Sequence, residues 1–427
     1  MAQTAANLIE HVLPEAVPLR QWVLTFPFEL RARLGFDAKL LSEISGVVNA
    51  AVLGFYERAL REHVGPRTSA AAEATKRKRA KLQSGTVTVV QRTSSDLRLN
   101  PHLHIIALDG AFAEQPDGSP RFVQLPALAA IDVAEVLLTI RCRVLRLLAR
   151  RGVIAIRDHV ELLASDAAEH DPVLAQLTAA AVCGQAPAGP ERRLRSPLRL
   201  APGKGATMTG PLCATDGGFS LHAATVAAGD DPRGKERLLK YVLRPPLSQQ
   251  RLELLDDGLV RINLKRPFSD GTIAIDLDPV SLLCRLAAAV PAPHFNTVRY
   301  AGVLAPAARW RPLVAAPPPP AEAEADGDGS PEQAAGHERP RRRSRWRPWL
   351  ELLKRSFDID LRCPGCGGVM KLKSFLTSPR SLRRLLTKLD VPAELQGKAP
   401  ARAPPYFASK VVRRHFGEPD PQLAMLH

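Results

Sequence analysis

Two histidines, His102 and His104, are the residues of this sequence whose type and spacing most directly suggest chemistry. They lie in an apolar, β-prone run that Pro101 opens and Asp109-Gly110 closes, which predicts a short buried strand. Residues two apart on a strand share a face, so both imidazoles point the same way. Two neutral imidazoles side by side are half of a divalent-metal site. The alternative is a pair of partly buried histidines satisfied by hydrogen bonds.

Two further side chains are candidates for completing such a site. His222 stands on the alternating run Phe219 to Val226, which predicts another strand. Gln91 closes a β-branched run and shares a face with Val87 and Val89, although a glutamine on an edge strand is the alternative interpretation.

A tyrosine provides the candidate nucleophile. Tyr241 falls in the last turn of a helix predicted over 235–243, between Lys240 and Arg244 and just before two prolines. A phenol with a free pKa of about 10 is a poor nucleophile at neutral pH. A divalent ion on a phosphate, with cations beside the phenolate, makes the attack feasible. Together these residues are the parts of a metal-assisted phosphodiester nuclease.

The elements that must position these residues follow from hydrophobic patterning. Residues 1–82 are predicted to be helical, and the run 86–91 is predicted to pair antiparallel with the histidine strand. A helix is predicted from Asp132, as its N-cap, to Gly152, and another over 173–182, before a Gly/Pro-rich stretch at 184–210. Residues 259–265 and 272–277 predict a β-hairpin.

The charge balance favours a polyanionic partner. The chain has 59 Lys and Arg against 43 Asp and Glu, a net charge of +16, and a pI near 10.0. The hairpin presents basic residues on its polar face, and others flank Tyr241. The predicted DNA-binding residues are Lys240, Arg244, Arg261, Lys265 and Arg266. No apolar run suggests a membrane span, so we expect a protein that acts in the cytoplasm and not at a membrane.

The C-terminal part has a different composition. Residues 316–340 are rich in Pro, Ala, Glu and Gly, which predicts a disordered linker, and 341–349 interleave arginines with two tryptophans, as nucleic-acid-binding segments do. Cys363 and Cys366 form a Cys-Pro-Gly-Cys knuckle. Tetrahedral zinc needs four ligands, and the chain has no second Cys-x-x-Cys motif. A knuckle that binds Zn²⁺ and a knuckle without a metal are therefore both open interpretations.

Several blocks of the chain, in order, resemble the rolling-circle transposases of bacterial insertion sequences, the HUH enzymes of the insertion sequence ninety-one family and its common-region relatives. The blocks are Asn100–Gly110, Gly218–Ala223, Leu239–Pro246, Leu264–Pro267 with Asp270–Thr272, Val298–Pro306 and Cys363–Gly368.

This resemblance implies an α+β fold, a palm-like central antiparallel sheet flanked by helices. It implies Mg²⁺ or Mn²⁺ held by His102 and His104, Tyr241 as the nucleophile, and single-stranded DNA at element ends as the substrate. His222 or Gln91 would complete the coordination. The implied location is the bacterial cytoplasm, in association with the nucleoid; the resemblance does not indicate an oligomeric state.

The expected organisation is a helical N-terminal segment (1–82), an HUH-type catalytic domain (83–313) with an insertion around 184–210, a linker (314–340) and a basic C-terminal segment (341–427). Two departures from the family stand out. Many members carry tyrosines four residues apart, whereas Arg237 occupies the position before Tyr241, and no cysteine precedes Cys142 where relatives have a zinc-binding segment. The alternatives are a DNA-binding protein without catalysis, and a replication initiator or relaxase with the same chemistry.

Overall fold

The computed structural model describes residues 2–64, 81–156, 160–162, 172–183, 199–268, 270–291, 295–315 and 410–413, with single positions at 365, 366, 368, 384, 387 and 388. The chain divides into two compact units. One comprises Met1–His11 and Pro317–Arg402, and its principal described element is a helix. The other comprises Val12–Ala316 and Ala403–His427 and contains the remaining strands and helices.

The helices and strands are numbered in chain order. The helices are α1 (Ala2–His11), α2 (Phe28–Phe36), α3 (Ala38–Val64), α4 (Ala130–Arg150), α5 (Pro172–Cys183), α6 (Pro232–Leu243), α7 (Pro279–Ala289) and α8 (Arg311–Val314), with a 3₁₀ turn at Gln249–Arg251. The strands are β1 (Leu19–Thr25), β2 (Leu82–Gln83), β3 (Gly85–Thr93), β4 (Leu99–Leu108), β5 (Gly110–Glu114), β6 (Pro120–Gln124), β7 (Ile154–Ile156), β8 (Val160–Leu162), β9 (Arg199–Leu200), β10 (Thr207–Gly210), β11 (Cys213–Asp216), β12 (Phe219–Ala227), β13 (Leu252–Leu254), β14 (Val260–Asn263), β15 (Thr272–Leu277), β16 (Val298–Gly302) and β17 (Lys410–Arg413).

A seven-stranded sheet forms the centre of the larger unit, in the order β10-β11-β12-β1-β4-β3-β16. Its strand pairs are antiparallel. One face carries Leu103, Ile105 and Ala107 of β4, and these side chains share a hydrophobic core with α3 and α4. The histidines alternate with them and therefore lie on the opposite face. The fold is thus the predicted α+β architecture, a large antiparallel sheet flanked by helices.

The prediction of a wholly helical segment over residues 1–82 is wrong at β1. This strand lies between β12 and β4, in the middle of the sheet. Its first four residues are all buried, because helices or neighbouring structure cover both faces of the sheet there. A strand buried on both faces lacks the alternation that identifies a half-exposed strand, so its sequence does not reveal it.

Several other predictions are confirmed. β3 pairs antiparallel with β4, and β14 pairs with β15 as the predicted hairpin, with Ile262 buried and Asn263 exposed. α5 covers the helix predicted over 173–182. Of the stretch 184–210, residues 199–210 contain β9 and β10, and the remainder lies outside the described residues. The linker beyond residue 315 and most of 341–427 also lie outside them.

The predicted start of α4 needs one correction. The N-cap is Ala129, and Asp132 lies one turn inside the helix, where its carboxylate accepts a hydrogen bond from the Ala129 backbone N–H at 2.7 Å. Asp132 therefore makes one of the two hydrogen bonds of a capping box, the one to the N-cap backbone, and is not the cap itself; the alanine side chain cannot make the other. The helix ends at Arg150, two residues before Gly152, which was predicted to stop it and whose φ of +63° suits glycine.

One helix in the described part of the chain is long and apolar enough to cross a membrane, which the sequence reading overlooked. It spans Ala38–His63 within α3, and half of its most apolar window is buried. Leu41, Ile44, Val48 and Val52 on this helix are fully buried and belong to the main hydrophobic core. The apolar character of α3 is therefore accounted for by its packing against the sheet.

Candidate active site

The two histidines of β4 stand side by side on the face opposite the core that β4 shares with α3 and α4. Their ring centroids are 5.0 Å apart, and the ring planes meet at 62°. In register, His102 is opposite Thr25 on β1 and Gln91 on β3. His104 is opposite Val23 and Val89. The rigid sheet thus fixes both imidazoles from two sides.

Both rings are held in the neutral form. Burial lowers the pKa of His102 despite the hydrogen bond to Asn100, and the charges of Arg31 and Arg244 lower it further. Burial, His102 and Arg244 lower the pKa of His104 to about 3. A neutral imidazole has a lone pair to offer, whereas an imidazolium has none. At neutral pH the pair is therefore able to bind a cation.

Hydrogen bonding selects the ring nitrogen that His102 can offer to a metal. Its Nδ1 lies 2.7 Å from the backbone carbonyl oxygen of Asn100. A carbonyl can only accept, so Nδ1 carries the proton and Nε2 carries the lone pair. Donation of the remote ring N–H to a carbonyl is the usual support of a metal-binding histidine.

A residue that the sequence analysis missed, Gln21, supports His104 in a similar position. Nε2 of the Gln21 amide lies 2.6 Å from Nδ1 of His104, and both residues are buried. In this orientation the amide donates and Nδ1 accepts. A metal on Nε2 of His104 requires a proton on Nδ1, and hence the amide oxygen of Gln21 as acceptor. A half-turn of the amide presents that oxygen. Gln21 was missed because β1 was predicted to be helical.

Tyr241 lies beside the histidines, as the sequence analysis expected. Its ring centroid is 6.1 Å from that of His104, at an interplanar angle of 81°. The residue remains 47% exposed, so a large substrate can reach it. The guanidinium of Arg244 lies 4.2 Å from the ring centroid. Arg237, one turn earlier on α6, is 3.7 Å from Asp231.

The other described tyrosines have different settings. Tyr56 is fully buried, and its hydroxyl is hydrogen-bonded to Asp109 and Trp22. Burial raises the pKa of Tyr56 well above its usual value, which suits a core residue. Tyr300 lies on the outer strand β16, opposite Val87 of β3. The guanidinium carbon of Arg311 is 5.5 Å from the centroid of the Tyr300 ring. Tyr406 lies outside the described residues.

The two candidates for a third metal ligand occupy unequal positions. His222 lies on β12, opposite Val23 of the neighbouring strand β1. Val23 is in turn opposite His104, so His222 is two strands, or about 10 Å, from His104 across the sheet. Gln91 is directly opposite His102, and its Nε2 donates a hydrogen bond to the backbone carbonyl of Val242 at 2.7 Å. Gln91 is on β3, which has β4 and β16 as neighbours, but the pairing with β16 ends at Val89, before Gln91. Within the described ranges, no three His, Cys, Asp or Glu side chains form a metal-binding group.

The predicted DNA-binding cations fall into two groups. Arg244 lies near the histidines, because its charge acts on both imidazoles. Lys265 lies near Arg244: burial, Arg244 and Arg251 lower the pKa of Lys265. Arg266 is exposed next to Lys265.

The other two are held by carboxylates. Lys240 lies 3.1 Å from Glu236. Arg261 donates to both oxygens of the buried Asp276, at 2.8 and 3.1 Å. Arg261 thus supplies the partner that the buried carboxylate requires, and its contact with DNA stays a prediction.

An additional cation near the site, Arg31, was not predicted. It lies on α2, and its charge lowers the pKa of His102. Its Nε is buried and, among the described residues, has no hydrogen-bond partner. A guanidinium with an unused Nε–H near the neutral imidazole of His102 is suited to a phosphate.

The C-terminal knuckle is described only in part. Cys366 is exposed and not in a disulfide, whereas Cys363 lies outside the described residues. Zinc binding by this pair remains a prediction.

Residues 85–311, more than half of the chain, match the model of a protein family described as "Putative transposase". No curated protein and no solved structure matches the chain. The matched region includes β3, β4, β12 and α6, and therefore His102, His104 and Tyr241. The chain belongs to this family of transposases, and DNA is its substrate.

Proposed function

We propose that this transposase nicks and rejoins single-stranded DNA at the ends of a bacterial insertion sequence, through a 5′-phosphotyrosine intermediate, as in rolling-circle transposition. The observation that carries the proposal is the position of Tyr241, whose ring lies 6.1 Å from His104 and remains open to solvent. A phenol, two neutral imidazoles and cations at one place are the groups that phosphodiester transfer needs. The site of action would be the nucleoid in the bacterial cytoplasm.

The transfer is a substitution at phosphorus. The Tyr241 oxygen bonds to the scissile phosphorus and its proton leaves to water. The bond from phosphorus to the 3′ oxygen breaks, and that oxygen takes up a proton from water. The products are a 5′-phosphate joined to the protein and a free 3′-hydroxyl. Because a phosphodiester replaces a phosphodiester, a 3′-hydroxyl from another end can attack the linkage and release the tyrosine. Arg244, against the ring of Tyr241, stabilises the phenolate, and Arg31 binds a phosphate oxygen.

The residues at this site fit a divalent cation. His102 and His104 would hold Mn²⁺ or Mg²⁺ through Nε2, supported by Asn100 and Gln21 on the opposite nitrogens. Gln91, opposite His102, is better placed than His222 to add an oxygen ligand. Two imidazoles favour Mn²⁺, because Mg²⁺ prefers an all-oxygen shell. The cation, when bound, withdraws charge from the scissile phosphate.

The test is formation of a covalent adduct with single-stranded oligonucleotides that carry the element ends, in the presence of Mn²⁺ or Mg²⁺. Tyr241→Phe should form no adduct that survives denaturing electrophoresis. Tyr300→Phe, a matched change of a tyrosine on the outer strand, should form as much as the parent chain. Equal adduct from Tyr241→Phe and the parent would refute the nucleophile assignment.

A non-catalytic DNA-binding protein is the second candidate, favoured by Arg237 at the position of a second tyrosine and by the net charge of +16. It predicts salt-sensitive DNA binding without cleavage in any divalent metal. A replication initiator or relaxase would share the chemistry and would be distinguished by the DNA that it cleaves. With one tyrosine, each active site can hold only one 5′ end at a time.

A further inference from the structure

The helix that carries Tyr241 ends in a way that leaves two backbone carbonyls without hydrogen-bond donors from the helix. α6 ends at Leu243, and Arg244 adopts an extended conformation before Pro245 and Pro246. In a continuing helix, the carbonyls of Tyr241 and Val242 would accept hydrogen bonds from the backbone nitrogens four residues later. Those nitrogens belong to the two prolines, which have no N–H. Both carbonyls therefore need partners from outside the helix.

Gln91 supplies one of these partners from the sheet. Its side-chain Nε2 donates to the Val242 carbonyl at 2.7 Å, over a sequence separation of 151 residues. Val242 is buried and Gln91 is half-buried, so loss of this hydrogen bond would not be freely compensated by water. Gln91 is also the residue directly opposite His102 in the β3–β4 pair. One side chain thus joins the end of the tyrosine helix to the strand pair that holds the histidines.

We propose that Gln91 is a positioning residue for Tyr241. Its hydrogen bond to the carbonyl of Val242, which has no donor from the helix because Pro246 lacks an N–H, fixes the last turn of α6 beside the histidine pair. The inference rests on the proposed function, in which Tyr241 is the nucleophile. Tyr241 immediately precedes Val242, so a shift of that carbonyl moves the phenol with it. Group transfer is sensitive to such shifts, since a displacement of about 1 Å can lower the rate about a hundredfold.

The hydrogen bond has a direction that separates this role from metal ligation. Positioning requires an N–H donor at residue 91, because the partner is a carbonyl oxygen. Metal ligation requires an oxygen at residue 91. Gln91→Glu keeps the length of the side chain and its oxygens but removes the donor, and Gln91→Met removes both. The two variants therefore give different patterns for the two roles.

The experiment measures three properties of the full-length chain: the single-turnover rate of adduct formation, Mn²⁺ affinity by titration calorimetry, and the fluorine NMR signal of Tyr241. Biosynthetic meta-fluorotyrosine labels four tyrosines, and Tyr241→Phe identifies the relevant signal. Gln124→Met, on the exposed position of β6, is the matched control.

If Gln91 positions the tyrosine, both Gln91→Met and Gln91→Glu should lower the adduct rate about tenfold to a hundredfold. Both should also shift or broaden the Tyr241 fluorine signal in the folded protein, while Gln124→Met behaves as the parent. Gln91→Asn, which keeps the amide but shortens the side chain, is the variant to use if Gln91→Met does not fold.

Two outcomes would overturn the inference. One is a Gln91→Glu variant with parental rate and an unchanged fluorine signal, which would make the oxygen, and not the donor, the functional group. The other is a lower melting temperature with the fluorine signal and the rate per folded molecule unchanged, which would make the hydrogen bond merely structural. Neither outcome would bear on the nucleophile assignment, which depends on Tyr241→Phe alone.

Discussion

At the scale of single residues, the neutrality of the histidine pair is the property on which metal binding depends. The pair lies against a buried strand and near Arg31 and Arg244, which oppose protonation. Histidines that stay neutral in the folded state lower the free energy of unfolding at low pH, because the same residues bind protons once the chain unfolds.

We predict that the metal-free protein loses stability as the pH falls from about 6.5 towards 3. His104 has a folded pKa of about 3 against an ordinary value of 6.5. Over that interval the unfolded chain binds a proton that the folded chain does not, so the free energy of unfolding decreases by up to about 1.4 kcal/mol per pH unit for each such group. Urea unfolding at several pH values measures this slope, and His104→Asn should make it shallower. An identical slope in the variant would contradict the assignment.

Gln21 is the residue-scale feature that only the structure revealed, and it gives a second prediction. Gln21→Leu removes the hydrogen-bond partner of His104 without adding charge. We expect Mn²⁺ affinity to fall about tenfold to a hundredfold, as is typical when support of a metal-binding histidine is lost. Gln21→Glu, which keeps an acceptor for Nδ1–H, should retain affinity, and calorimetric titration measures both. Equal affinities in Gln21→Leu and the parent would show that His104 needs no such support.

At the scale of elements, β1 links the two halves of the central sheet. It carries Arg20, which forms a buried two-point ion pair with Asp109 at 2.8 and 2.9 Å and also donates to the Ala223 carbonyl. Tyr56 of α3 donates to the same carboxylate. The pair therefore connects β1 to the end of β4, to β12 and to α3 in the buried interior.

Removing one member of this pair should be severely destabilising. Arg20→Met leaves the Asp109 carboxylate buried and without its cation, at a cost of about 3–5 kcal/mol. Chemical denaturation measures the loss. The control is Arg151→Met, which removes a partly exposed pair with Glu43 and should cost less than about 1 kcal/mol. Similar losses in the two variants would argue against a structural role for the buried pair.

The same elements show how far the sequence can predict this fold. Amphipathic patterns identified α4, α6 and the β14–β15 hairpin, because each has one buried and one exposed side. β1 was not identified, because burial on both sides removes the alternation. The site followed the same division: His102, His104 and Tyr241 stand out by motif, whereas Gln21 and Arg31 become visible only when β1 and α2 are placed beside β4.

At the scale of the whole molecule, the net charge of +16 indicates attraction to DNA but not where the phosphates bind. The structure divides the basic residues into those paired with buried carboxylates and those near the histidines. Arg261 belongs to the first group, through Asp276. Arg244 belongs to the second, against Tyr241.

These two arginines should therefore respond differently to substitution. Binding of single-stranded DNA should weaken with salt, and Arg244→Gln should reduce the slope of log affinity against log salt by about 0.7, the value for one lost phosphate contact. Arg261→Gln should leave that slope unchanged and instead lower the free energy of unfolding, because Asp276 is fully buried and loses its partner. Fluorescence anisotropy over a range of salt concentrations, with urea unfolding of the same variants, measures both effects. A reduced salt slope in Arg261→Gln with unchanged stability would place a phosphate at the hairpin and restore the contact that the sequence alone suggested.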